Sequence, residues 1–189
     1  MIRIGVLGDI GSGKSYVAKQ FGYPVFNADI EVSKLYKNSK KCYYKLQKAI
    51  PDYIKSFPIK KKQLSKAILF NSKNLKKISK IIHPEIRERL KNFIKKNRYK
   101  KFVILDIPLL LENKINKKND ILIFIDGPKK EINKRLKKRK KFNTKILKKF
   151  QLALELKRKK ADYVIKNNFK HNPVKKNVKR TLKKILLNA

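Results

Sequence analysis

Short apolar runs of strand length alternate along this chain with longer stretches in which apolar residues recur every three or four positions. Ile2, Ile4, Val6 and Leu7 form the first run, and Tyr23-Pro24-Val25-Phe26-Asn27 the second. Phe102-Val103-Ile104-Leu105, Ile121-Leu122-Ile123-Phe124-Ile125 and Ala161-Asp162-Tyr163-Val164-Ile165 complete the set. Between them the spacing predicts helix over 16–21, from Ile30 through Tyr36 and Leu46 to Ile50, and over 61–70, 74–82 and 85–96. Further helices are expected over 131–139, 146–160 and 174–187, with 140–144 as a short polar connection. His83-Pro84 reads as a break between two of these helices, because proline cannot donate to the helix ladder. Strands alternating with helices imply an α/β fold, a parallel sheet covered on both faces in three layers, α/β/α. The long strand-free stretch reads as a helical insertion over 30–98, within a core of 1–29 and 99–189.

The turn after the first strand changes the picture from fold to chemistry. Gly8-Asp9-Ile10-Gly11-Ser12-Gly13-Lys14-Ser15 fills the pattern G-x-x-x-x-G-K-[ST], between an apolar strand and a helix-compatible stretch. Glycines let the backbone curl so that N–H groups converge on a phosphate with no Cβ in the way. Lys14 can reach the β- and γ-phosphates, the Ser15 hydroxyl can ligate Mg²⁺, and the helix that starts nearby offers its positive end. Gly8, Gly11, Ser12, Gly13, Lys14 and Ser15 are therefore the expected ATP-phosphate contacts. Asp106 ends a run of four apolar residues, as the acid of a Walker B strand does, and is the candidate second Mg²⁺ contact.

Composition narrows the setting. An apolar fraction of 41% suits a folded core, and no apolar run is long enough to span a bilayer. The chain enters a strand at once, without signal-peptide anatomy, and the single Cys42 excludes an internal disulfide; both point to the cytoplasm. Lys+Arg number 53 against 13 Asp+Glu, a formal charge of +40, and lysine dominates. The lysines are spread along the chain and no aromatic RNA-stacking motif accompanies them. This favours a solvated surface over a specific nucleic-acid face, with salt-sensitive attraction to polyanions. Oligomeric state is not legible.

A phosphate loop admits several enzyme classes. The N-K-x-D guanine-reading motif is missing, and the chain is short for a helicase-type ATPase. A helical insertion and a late arginine-flanked segment suit a kinase with an acceptor pocket and a closing lid. A nucleoside monophosphate kinase and a basic nucleic-acid-binding P-loop protein stand as the alternatives. Several segments then occur in a telling order: the phosphate loop, Ala28-Asp29, Ile82-His83-Pro84, Pro108-Leu109-Leu110-Leu111-Glu112, and Gln151 through Ala161-Asp162-Tyr163-Val164-Ile165-Lys166-Asn167. Together they resemble the dephospho-CoA kinases, which use ATP to phosphorylate the ribose 3′-hydroxyl of dephospho-CoA.

The resemblance implies roles for these residues. Asp29 would accept or orient the proton of the attacking hydroxyl, and His83 would belong to the acceptor-binding lobe. Arg135 and Arg139 would lie in or beside a lid over about 139–151 and neutralise the transferring phosphate. Pro108, Leu109 and Leu110 would wall the acceptor pocket. Glu112 would stand beside them, although a bracing ion pair suits it better than chemistry. Gln151, Lys157 and Asn167 would lie near the lid and nucleotide site. Asp9 departs from the pattern, standing where the family usually has a glycine, and an inward-facing acid there would repel ATP.

Overall fold

In the computed structural model, which describes residues 1–138 and 150–188, the chain divides into two compact units, Met1–Asn27 with Asn97–Ala189, and Ala28–Lys96. The first unit holds five parallel strands: β1 (Ile2–Gly8), β2 (Val25–Asn27), β3 (Phe102–Asp106), β4 (Ile121–Asp126) and β5 (Tyr163–Lys166). They lie in the order β2-β3-β1-β4-β5, so the first strand is the central one. Register aligns Ile4 with Ile104 on one side and with Ile121 on the other.

Period-two alternation is buried on both faces. Ile4, Val6, Phe102, Ile104, Ile123 and Ile125 join Val17 and Ala18 of helix α1 (Lys14–Gln20), and Phe21 just after it, in one core. The last helix of the chain, His171–Leu187, adds Val174, Val178 and Ile185 to it. On the opposite face Gly5 lies so close to the Leu110 and Leu122 side chains that a Cβ there would meet Leu110 at 2.6 Å.

The second unit is helical among the described residues: α2 (Ala28–Asn38), α3 (Lys40–Ala49), α4 (Lys61–Phe70) and α5 (Lys73–Lys96). The Ser39 hydroxyl caps α3 by accepting from the Cys42 N–H at 3.1 Å. Leu35, Cys42, Leu46, Ile54 and Ala67 are its most deeply buried side chains. The break expected at His83-Pro84 does not occur; one helix of 24 residues runs through it. Pro84 forfeits a single bond, the one its N–H would make to the Lys80 carbonyl, while Asn74, Ile78, Ile82, Ile86 and Leu90 keep one buried face across it.

The remaining helices belong to the first unit: α6 (Lys129–Lys138), α7 (Leu154–Lys159) and α8, the closing helix His171–Leu187. Of the helix expected over 146–160, the described part is helical only over Leu154–Lys159, and Ala153 before it has extended backbone (φ −51°, ψ 135°). The rest of that stretch up to 149, the connection over 140–144 and Arg139 lie outside the described residues. No helix among those described is long and apolar enough to cross a membrane.

Candidate active site

The phosphate loop leaves β1 at Gly8 and enters α1 through Gly13. Both are in the left-handed region, with φ of 139° and 85°. A Cβ on Gly8 would meet the Ile125 carbonyl oxygen at 2.7 Å, and one on Gly13 would collide with the Asn167 amide. These positions require glycine by space as well as by dihedral. Lys14 Nζ donates to the Gly8 and Asp9 carbonyl oxygens at 3.2 and 2.8 Å, folding its ammonium back over the loop. Ser15 is exposed in the first turn of α1, and Ser12 is fully buried, its Oγ without a hydrogen-bond partner among the described residues. Gly11 completes the turn at φ 90°.

The Asp9 carboxylate turns onto its own loop, where Oδ1 accepts the Ile10 N–H at 2.7 Å. The loop is also braced from β5: Asn167, fully buried, donates from Nδ2 to the Ser12 carbonyl at 2.8 Å. Its Oδ1 accepts the Phe169 N–H at 2.9 Å. Phe169 holds a positive φ of 62°, rare for a bulky residue. The Arg135 guanidinium lies 4.4 Å from the centre of its ring. Arg135 therefore stands beside the loop on an aromatic face, an arrangement with no counterpart in its i, i+4 spacing from Arg139.

Asp106, 3% exposed, ends β3 and accepts a short hydrogen bond from Asn27 Nδ2 of the neighbouring strand. The turn that follows carries Pro108, Leu109 and Leu110, with Leu109 at φ 56°. These three join Gly8, Ile10, Lys14, Gln151 and Lys157 around a narrow cavity of about 40 Å³ against the phosphate loop. Pro108, Leu109 and Leu110 thus line the same cavity as Lys14. Glu112 takes the bracing role. Its Oε1 pairs with Lys157 Nζ at 2.7 Å and accepts the Leu152 N–H at 2.9 Å. Burial alone would raise this carboxyl; the Lys157 ammonium and the Glu112 and Leu152 N–H groups outweigh it and hold Glu112 below its ordinary value. Gln151 donates to the Gly8 carbonyl at 3.4 Å, at the long end of hydrogen-bond range.

In the helical unit, Asp29 is exposed in the first turn of α2, where a carboxylate favours the positive end of the helix. His83 lies at the surface of α5. Partial burial and the neighbouring Arg87 charge hold its imidazole below the usual histidine value. Pro84, Arg87, Lys91 and Lys95 line an open groove along the same helix.

Sequence reasoning missed Asn27 as the partner of Asp106, and the ring of Phe169 under Arg135. Neither pairing has a local signal, since each joins distant parts of the chain. No cluster of three or more His, Cys, Asp or Glu capable of holding a metal occurs among the described residues. Ser15 and Asp106 offer the hard oxygen donors that suit Mg²⁺.

Comparison with known proteins adds an independent line. The family model for dephospho-CoA kinase matches residues 2–172. A dephospho-CoA kinase of Bartonella quintana is 36% identical over 170 residues, covering 86% of this chain and 87% of that protein. One from Wolbachia pipientis wMel is 32% identical over 195 residues, covering 98% and 99%. Among solved structures, TT1252 from Thermus thermophilus has a TM-score of 0.75 at 27% identity, covering 99% of this chain and 97% of that one. The dephospho-CoA kinase from Campylobacter jejuni shares the fold, with a TM-score of 0.64 at 23% identity, covering 97% and 96%. Phosphate loop, parallel sheet, helical unit and a family match over almost the whole chain agree: the chain belongs to the dephospho-CoA kinase family.

Proposed function

We propose that this protein transfers the γ-phosphoryl group of ATP to the ribose 3′-hydroxyl of dephospho-CoA, giving coenzyme A. The observation that carries the reading is the phosphate loop, with Gly8 and Gly13 where only glycine fits and Lys14 above the turn, in a chain of this family. Phosphoryl transfer asks little covalent chemistry of a protein; positioning and charge neutralisation do most of the work. Lys14 and the loop amides hold the β- and γ-phosphates. Ser15 and Asp106 are the residues that would hold Mg²⁺, which when bound neutralises phosphate charge.

Asp29 accepts the proton of the attacking hydroxyl or orients it, a role supported by the Ala28-Asp29 pair at the start of α2. Arg135, and Arg139 beyond the described residues, neutralise charge on the transferring group. Acceptor binding falls to Pro108, Leu109 and Leu110 at the cavity and to the helical unit, with His83 and the basic groove along α5. Glu112 contributes indirectly, by holding Lys157 and Leu152. The reaction takes place in the cytoplasm on small-molecule substrates. Specific nucleic-acid partners play no part, and the basic surface serves only as a salt-sensitive attractor of polyanions.

The test is a coupled ATP-consumption assay with Mg²⁺, adding dephospho-CoA, nucleoside monophosphates or RNA in turn. Turnover with dephospho-CoA alone, yielding coenzyme A, is the expected result; turnover with a monophosphate or RNA instead overturns it. In the same assay Asp29→Asn lowers kcat by about 10²-fold or more, the range for loss of a positioned base, with KM for ATP unchanged. An unaltered kcat removes Asp29 from the mechanism while leaving the reaction standing.

A further inference from the structure

We propose that Lys157 is a second phosphate-contacting cation of the phosphate-loop cavity, oriented beside Lys14 by Glu112. The inference rests on the reading of the loop as the ATP-phosphate site.

Lys157 is 4% exposed in a protein whose lysines are overwhelmingly at the surface. Burying an ammonium is costly unless it is paired, and a helix as short as α7 has ample surface for a lysine to reach solvent. Its partner is Glu112 alone among the described residues, through Oε1 at 2.7 Å. That same oxygen also takes the Leu152 N–H, while Oε2 is buried with no hydrogen-bond partner among the described residues. Glu112 uses one oxygen to fix two donors, the Leu152 N–H just before α7 and the Lys157 ammonium on it, and so takes up one of the three N–H donors of Lys157.

The cavity tells what the remaining donors face. Its lining includes Lys14 and Lys157, the Gln151 amide and the apolar Val6, Leu7 and Ile107, and no carboxylate. Two ammonium groups at one cavity with apolar walls make a field that favours an anion, strengthened by the low local dielectric. At about 40 Å³ it admits a few water-sized groups, the scale of phosphoryl oxygens and too small for a nucleoside. Lys157 then donates to an oxygen of the transferring phosphoryl group as charge builds on it. It gives up no proton, and Glu112 stays an ionised anchor.

The competing account is that Lys157 merely neutralises Glu112. Comparing Lys157→Met with the double variant Glu112→Leu, Lys157→Met separates the two, with melting temperature, ATP binding by calorimetry and kcat measured on each. Lys157→Met strands a buried carboxylate and loses both stability and turnover. In the double variant an apolar pair replaces an ionic one, a change that is often neutral, so the melting temperature recovers. Turnover stays down by about 10²-fold, the range for loss of one preorganised donor. Recovery of kcat together with melting temperature, in a wild-type protein that binds ATP, overturns the proposal alone. A wild type that fails to bind ATP overturns the phosphate-site reading and the proposal with it. Glu112→Gln gives a second comparison should the double variant not fold. It keeps the ammonium, so its kcat exceeds that of Lys157→Met at least tenfold; equal losses mark a purely structural pair.

Discussion

Asp9 brings a full negative charge into a loop whose task is to hold phosphates. The structure turns that carboxylate onto the Ile10 N–H, a partner within the loop itself, which limits but does not abolish its repulsion of ATP. Asp9→Asn keeps an oxygen for the Ile10 N–H and removes the charge. The expected outcome is a several-fold lower KM for ATP with kcat little changed, read by steady-state kinetics at low ionic strength. An unchanged KM would mean that the carboxylate is fully screened. At this scale the loop was legible because its chemistry is written in consecutive residues, Gly8 to Ser15. Lys157 was not distinguishable as a buried cation: one lysine looks like another, and only tertiary packing against Glu112 marks it. Asn27 is hidden for the same reason, since its partner Asp106 is on a strand that neighbours it only in the sheet.

At the scale of elements, α5 shows how a packing stripe overrides a local breaker. Propensity puts a boundary at Pro84, yet Ile78, Ile82, Ile86 and Leu90 present one continuous buried edge, and stopping the helix would disrupt it. Pro84→Ala restores the missing N–H, and because proline is about 3 kcal/mol worse than alanine inside a helix, the protein should melt higher. The gain expected is roughly 6–12 °C in a chain of this size, measured by calorimetry; a lower melting temperature would show that the ring packs in a way alanine cannot replace. Near 150 the opposite holds: the pattern suggests helix, but Ala153 is extended and Glu112 holds the Leu152 N–H, so residues 150–153 stay out of the helix that runs over Leu154–Lys159. Strands were read within a residue or two, because their apolar runs are closed by polar residues or glycine.

Taken whole, the molecule sets several of its few acids in ion pairs. Glu31 pairs with Arg89 at 2.8 Å and Lys34 at 2.6 Å, and Asp120 pairs with Arg3 at 2.9 Å. Burial alone would raise Glu31, but the bonds from Lys34 and Arg89 hold it below its ordinary value of 4.5. A carboxyl lowered in the folded state stabilises above its unfolded value, and that contribution is lost as pH falls through the folded one. Glu31 and Glu112 therefore withdraw support below about pH 4.5. Asp120 acts in the opposite sense, because burial holds it above its ordinary value. With only 13 acids to offset 53 bases, protonation also adds to self-repulsion. Melting temperature should fall as pH drops below about 4.5, and Glu31→Gln should lower it at pH 7 while flattening that fall. An equally steep fall in Glu31→Gln would place the acid sensitivity elsewhere.

The position of β1 at the centre of the sheet also sets an order of events during synthesis. Ile2 finds its partner in Phe102, and Val6 finds Ile123, so β1, made before either neighbour, is among the last to be hydrogen-bonded on both edges. Everything in Ala28–Lys96, whose contacts are nearer in sequence, leaves the ribosome before either neighbour of β1 exists. The helical unit can thus acquire its core while the nascent phosphate loop has no sheet to stand on. Nucleotide binding is consequently a late property of the growing chain, gained only once β4 has emerged.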